Sequence, residues 1–257
     1  MIKVVFLDFD GTLFSHKTHE IPSSAIEAIN KARANGIKVF LCTGRARSEF
    51  DQFDLSMLNV DGMVLCNGQI CFDEKYNIIY DNPIEGKLKE SLIDIFVNKK
   101  LPIYFSNNEN LYLNFENEHI RNVQAAVTSD VPEIKEYHGE RIYMASIFYE
   151  NDEELNYLKS RCENAQITCW HEGAVDVVPE GACKSKGIKE IIRYYNIDIS
   201  ETMAIGDGDN DMDMLKECGV GVAMGNSPLF VKEVADYITD DIDENGIYNA
   251  FKYYELI

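Results

Sequence analysis

The chain of 257 residues is long enough for a sizeable core in one large domain or two smaller ones, and its 46% hydrophobic content excludes a disordered polymer. No apolar run approaches the roughly 20 residues that a bilayer-spanning helix needs, so no membrane partner is expected. A formal net charge of −20, with one small basic cluster at Lys99 and Lys100, argues against a phosphate-backbone binder, so nucleic acid is not expected as a partner either.

The N-terminus, MIKVVFLDFDGTL, runs from a short apolar stretch straight into acids and has no small-residue cleavage site, which is not the pattern of a signal peptide. Seven scattered cysteines agree with a reducing compartment: Cys66 and Cys71 have no second pair to complete a zinc site, and a cytoplasmic protein with reduced thiols is expected. Val4 to Leu7 read as a parallel strand covered on both faces. IPSSAIEAINKARANG reads as a helix. Pro22 and the serines start it, Ile26, Ile29 and Arg33 recur at helical spacing beside Ala25, Ala28 and Ala32, and Gly36 stops it. IKVFLCTG and DGMVLCNG are further apolar strands, and this alternation argues an α/β fold with an open, mostly parallel sheet.

After about Asp81 the pattern changes. LPIYFSNNENLYLNF reads as a hairpin, RIYMASIFYE and GAVDVVP as strands, and NDEELNYLKSRC between them as a helix through Leu155, Leu158 and Cys162. The first pattern then returns: SKGIKEIIRYYNI is an amphipathic helix, TMAIGDGDND a strand ending in acids, GVGVAMGN a short strand and SPLFVKEVA a helix opened by Ser-Pro. The expected organisation is a core split over residues 1–82 and 182–257, with an α+β insert over 83–181.

Four segments place polar groups at strand ends, where open α/β sheets bind ligands. They are Asp8 and Asp10, Thr43 and Gly44, Lys184, and Asp207, Asp209 and Asp211. Each alone has a plain explanation. DFDGT can be a turn and CTGR a loop. DGDNDMD fails as a calcium loop, because Met212 stands where glycine belongs and Cys218 where glutamate belongs. GACKS fails as a P-loop, because Cys183 replaces the glycine before the lysine.

Together the segments resemble the haloacid dehalogenase superfamily of phosphohydrolases. DFDGT matches that family's DxDGT, CTGR its second motif through Thr43, Lys184 its third and GDGDND its GDxxND. The insert between the second and third motifs is similar to the large α/β (type IIB) cap. VLCNG and AMGN resemble the Cof-type sugar phosphatase branch.

The resemblance implies a Rossmann-like core and a Mg²⁺-dependent phosphatase for small phosphorylated metabolites, above all sugar phosphates, working as a monomer or weak dimer. It makes Asp8 the nucleophile of a phospho-aspartate route. Asp10 becomes the general acid and base. Asp8, Asp207 and the Asp10 backbone carbonyl become metal ligands, with Asp211 binding directly or through water. Thr43, the Gly44 amide and Lys184 would hold the phosphoryl oxygens, the lysine offsetting the charge of the chain, and Lys186 is its competitor. Asn210 would position Asp10, Lys184 or the phosphate, or cap a helix. Arg45, Asn67 and Asn226 would contact phosphate or substrate, or shape loops. Tyr104, Asn107, Tyr143 and His171 are candidate cap contacts. Rival readings are a phosphomutase or a dehalogenase of the same fold, or a non-catalytic phospho-ligand sensor. Asp10 argues against the dehalogenase, which has no leaving alcohol to protonate.

Overall fold

A computed structural model describes residues 1–50, 53, 55, 57–127 and 129–257. The chain divides into two compact units. One comprises Met1–Arg45, Gln52–Asp81 and Cys183–Ile257, the other Ala46–Asp51 and Asn82–Ala182. Among the described residues, no helix is long and apolar enough to cross a membrane.

The chain enters the first unit through β1 (Val4–Leu7), α1 (Ser23–Ala34), β2 (Lys38–Cys42), β3 (Gly62–Leu65), β4 (Ile70–Asp73) and β5 (Ile78–Asp81). It then builds the second unit from α2 (Gly86–Val97), β6 (Ile103–Ser106), β7 (Leu111–Leu113), α3 (Glu118–Ala126), β8 (Met144–Phe148), α4 (Asp152–Arg161), β9 (Ala165–His171) and β10 (Ala174–Pro179). It returns through α5 (Lys184–Tyr195), β11 (Thr202–Gly206), α6 (Met212–Glu217), β12 (Val220–Ala223), α7 (Leu229–Lys232), β13 (Tyr237–Ile238) and α8 (Gly246–Tyr253).

The first unit holds an eight-stranded sheet in the order β13-β12-β11-β1-β2-β3-β4-β5. Strands β13 to β3 run parallel, whereas β3-β4 and β4-β5 pair antiparallel. The parallel sheet follows the sequence pattern, and the antiparallel edge is an addition to it. All four residues of β1 are buried, as a central strand requires. Phe6, Phe40, Val64 and Ala204 pack with Ile188, Ile191 and Ile192 of α5 and with Met214 and Leu215 of α6. On α1 the buried stripe is Ala25, Ala28, Ile29 and Ala32. Ile26 and Arg33 stand at its flank, and Arg33 forks onto Asp61 at 2.9 and 3.2 Å.

Two features of this sheet position a site. Leu7 lies level with Leu41 on one side and Ile205 on the other, so β1, β2 and β11 end at one rim. The strand order also reverses at β1, and such a switch point opens a crevice beyond the strand ends.

The second unit is an antiparallel sheet in the order β7-β6-β8-β10-β9. Alternate residues face opposite sides. Ile103, Phe105, Ala145, Ile147, Val175 and Val177 pack on one face with Ile95 and Phe96 of α2 and Leu158 of α4. Tyr104, Phe148 and Ala174 pack on the other with Ile120 and Val123 of α3. The expected hairpin is β6-β7, registered Tyr104 to Leu113.

Candidate active site

The site lies within the first unit, at the rim where β1, β2 and β11 end. Asp8 is the first residue past β1, and its N–H still donates to Ile205 O at 2.9 Å, so the strand geometry carries the carboxylate to the sheet edge. Lys184 is the first residue of α5 and is fully buried. Its Nζ reaches Asp8 Oδ1 at 2.5 Å and Asp211 Oδ1 at 2.6 Å. Of the two candidate lysines, Lys184 therefore touches the acids. Asp211 Oδ2 accepts the N–H groups of Asp207 at 2.9 Å and Gly208 at 2.8 Å, so both of its oxygens are already engaged by protein donors. The start of α5 has no side-chain cap at Cys183, and Asp213 of α6 supplies one instead, accepting the Ser185 N–H at 2.6 Å.

Asp207 follows β11, and its Oδ1 accepts from the Thr12 hydroxyl at 2.7 Å. Gly11 has φ +76°, and a Cβ there would lie 2.3 Å from Asp207 Oδ2, so only glycine lets the two acidic loops approach this closely. Oxygens of Asp8, Asp207 and Asp211 all lie within 4.8 Å of one another. Such a group of hard carboxylate oxygens fits a hard divalent cation.

Asp10 is placed differently. Its side chain is outside that acidic group and is held by Arg45, with Nε at 2.6 Å from Oδ2 and Nη2 at 2.8 Å from Oδ1. His16 Nε2 lies 3.2 Å from Oδ1. Arg45 was expected to contact phosphate or substrate, or to shape a loop, and in this structure its fork is closed on Asp10. The Thr43 hydroxyl accepts the Arg45 N–H at 3.1 Å. A Cβ on Gly44 would stand 3.2 Å from Asn67 Oδ1. Asn67 and its neighbour Cys66 have φ of +53° and +51°, an uncommon pair of left-handed non-glycine residues. Asn210 Nδ2 donates to Asn67 Oδ1 at 3.3 Å, so its partner is Asn67 rather than Asp10 or Lys184. Asn226 ties loops together, donating to Gly11 O at 2.8 Å and accepting the Ile242 N–H at 3.1 Å. Asp209 is exposed.

The electrostatics divide the acids. Burial pushes the Asp8 carboxyl well above its ordinary range and Asp211 adds to this, while Lys184 opposes both. Asp207 is pushed up to about 6 by burial and by Asp211, against the Thr12 hydrogen bond. Burial also acts upward on Asp10, but hydrogen bonds from His16 and Arg45 and their charges win and hold it well below the usual carboxylate range. Burial alone would favour a neutral Lys184 amine. Asp211 and Asp8 outweigh it, so the lysine stays charged. One cation among three gathered carboxylates leaves a site that further positive charge would stabilise.

In the second unit, Tyr104 lies in the core beneath α3, Tyr143 is buried, Asn107 accepts the N–H groups of Glu109 and Asn110 in its own turn, and His171 Nδ1 accepts the Gly173 N–H. The polar group that stands out there is Asp176. Its Oδ1 accepts from Ser146 Oγ at 2.5 Å and Trp170 Nε1 at 3.0 Å. Burial, helped by Glu49, pushes its carboxyl up to about 7 against those two hydrogen bonds. Sequence reasoning missed His16, Asp213 and Asp176. A histidine six residues past Asp10 and an acid two past Asp211 were the available signals for the first two; Asp176 had none beyond an acid inside an apolar strand.

Comparison with known proteins bears on what such a site does. The family model of haloacid dehalogenase-like hydrolases matches residues 5–251. YkrA of Bacillus subtilis (strain 168), which is named for a phosphatase activity, is 32% identical over 253 residues, covering 97% of this chain and 96% of YkrA. Among solved structures, the phosphatase BT1666 from Bacteroides thetaiotaomicron is 31% identical with TM-score 0.88, over 100% of this chain and 96% of its own. The subclass IIB sugar phosphatase BT4131 is 34% identical with TM-score 0.82, over 99% of this chain and 100% of its own. The protein is thus a phosphatase, a phosphoric monoester hydrolase. It belongs to the haloacid dehalogenase-like hydrolases, in their Cof-type branch.

Proposed function

We propose that this phosphatase acts on small phosphorylated metabolites, sugar phosphates foremost, through a phospho-aspartate on Asp8. The observation that carries this reading is the contact of Asp8 with Lys184 inside a gathered set of acids, with Asp10 held apart from them. Asp8 Oδ attacks phosphorus, and the bond from phosphorus to the leaving oxygen breaks. Asp10, whose carboxyl the charge of a bound phosphate would raise from the low range in which His16 and Arg45 hold it, gives that oxygen its proton. Asp10 then takes a proton from water as the water oxygen attacks the phospho-aspartate, which returns Asp8 and releases inorganic phosphate. Lys184, Thr43 and the Gly44 amide face the charge on the transferring group.

Asp8, Asp207, the Asp10 carbonyl and Asp211 would hold Mg²⁺, which when bound supplies positive charge that the three carboxylates lack. Because both Asp211 oxygens already accept protein donors, it suits an outer position better than a direct one. We place the enzyme in the cytoplasm, as a monomer or weak dimer.

The second unit, over roughly residues 83–181, would read the leaving group. Asp176 with Ser146 and Trp170 is suited to hydroxyl groups, and the sugar phosphatase BT4131 is a full-length relative. The test is phosphate release from a panel of hexose and pentose phosphates, with and without Mg²⁺. Release that needs Mg²⁺ and is abolished by Asp8→Asn supports the reading. Near-normal turnover by Asp8→Asn overturns it, and recovery of label in an isomeric sugar phosphate instead of free phosphate makes the enzyme a mutase.

A further inference from the structure

Three donors converge on the two oxygens of Asp10. Arg45 takes Oδ2 through Nε at 2.6 Å and Oδ1 through Nη2 at 2.8 Å, and His16 Nε2 stands 3.2 Å from the same Oδ1. Arg45 is braced by the rings of Phe9 and Phe53, at 5.7 and 4.9 Å from their centroids. His16 is held as well. Its ring meets Phe14 edge-on at 5.6 Å and 86°. The loop that carries it is fastened on both sides, because Ser15 Oγ donates to Asp243 Oδ1 at 2.7 Å and Lys17 pairs with Asp243 at 3.4 Å. The Ser15 N–H closes the loop on Glu20 O at 3.0 Å. His16 nonetheless leaves 54% of its side chain exposed, so packing alone does not account for its place.

A carboxylate oxygen offers about two lone-pair sites. Among the described residues, Oδ1 has two donors and is filled, whereas Oδ2 has one and keeps a site open. We propose that His16 is a positioning residue for proton transfer: by filling Oδ1 alongside Arg45, it leaves Oδ2 as the oxygen that carries the proton to and from the reacting groups. The proposal rests on the reading of Asp10 as general acid and base. The step is the one already written, with the Oδ2–H proton passing to the leaving oxygen as its bond to phosphorus breaks.

The test exploits the leaving group. An alkyl phosphate such as a hexose 6-phosphate needs a proton on its departing oxygen, and p-nitrophenyl phosphate does not. His16→Ala is expected to lower kcat on the alkyl ester roughly tenfold, a fraction of what a full general acid contributes. The pre-steady-state burst of nitrophenolate from p-nitrophenyl phosphate, which reports phosphoryl transfer to Asp8 before the base-assisted hydrolysis that both esters share, should change less than about twofold, within what loss of an exposed side chain produces. His16→Gln, whose amide nitrogen reaches about as far as Nε2, should recover most of the alkyl activity. The nitrophenyl assay also reports that each variant is folded. An equal loss in the nitrophenolate burst, no loss on the alkyl ester, or failure of His16→Gln to recover it overturns the assignment of His16. Asp10→Asn, run alongside, separates the layers: if it keeps alkyl turnover, the reading of Asp10 itself falls.

Discussion

Lys184 is the residue on which the charge balance of the site turns. Removing it strands Asp8 and Asp211 in the interior, and breaking a buried pair costs about 3–5 kcal/mol. Lys184→Ala is therefore expected to lower the melting temperature measurably in metal-free buffer, more at pH 8 than at pH 5, because protons can quench the orphaned acids at the lower pH. Asp207 gives a related signature in the intact protein. Its carboxyl is raised to about 6 when folded, so the folded state holds more protons than the unfolded one between its ordinary range and that value. Stability from this group is greatest below its unfolded pKa and is lost as pH rises through about 6. Melting curves of chelator-treated protein should fall in midpoint from pH 4.5 to 7, and Asp207→Asn should flatten that fall. At this scale the sequence was legible in its motifs: Asp8, Thr43 and Asp207 reach one rim because β1, β2 and β11 end there, and the start of α5 brings Lys184 to Asp8. The Arg45–Asp10 fork was not legible, since 35 residues separate its partners and only the loop fold closes them.

Among the elements, α5 shows how one contact can govern another. Its N-terminus presents Lys184, and the cap on that turn comes from Asp213 in α6. Asp213→Ala is expected to cost about 1 kcal/mol of stability, a typical loss for a helix cap, and to lower kcat by loosening Lys184. Asp213→Asn, which keeps an accepting oxygen, should retain both, and urea melts with initial rates would check the pair. Strands β1, β2, β3 and β11 were readable because burial on both faces leaves a continuous apolar run. The second unit was harder. Its α3 buries Gln124 with Ile120 and Val123, which blurs the stripe. The seven residues of β9 are half-buried or exposed, with a register shift against β10. Packing in the folded sheet, rather than local pattern, defines both.

For the molecule as a whole, the net charge of −20 sets the terms on which an anionic substrate arrives. Added salt screens that repulsion over a Debye length that shrinks to about 8 Å at physiological strength. KM for a phosphorylated substrate is expected to fall as sodium chloride is raised from low to moderate concentration, with kcat nearly constant. An unchanged or rising KM would show that the local cations at Lys184 and Arg45 dominate the field. The division into two units, each with its own core, was legible from the change of pattern near Asp81. The place of residues 46–50 in the second unit was not, because nothing local distinguishes them from the loop that follows β2.

The left-handed turn at Cys66–Asn67 has a consequence for how the protein ages. Asn67 is followed by Gly68, and Asn-Gly is the dipeptide most prone to succinimide formation, in which the glycine nitrogen attacks the asparagine amide carbon. Here the Gly68 N–H is tied to Leu65 O at 3.1 Å, and the Gly68 α-carbon is crowded by Cys183 O, which would lie 2.1 Å from any added Cβ. The nitrogen cannot turn onto the side chain while this packing holds. Deamidation of Asn67 during storage is thus a chemical clock for transient opening of the loop, readable by peptide mass mapping, and each isoaspartate it leaves behind marks a molecule whose Asn210 has lost its partner.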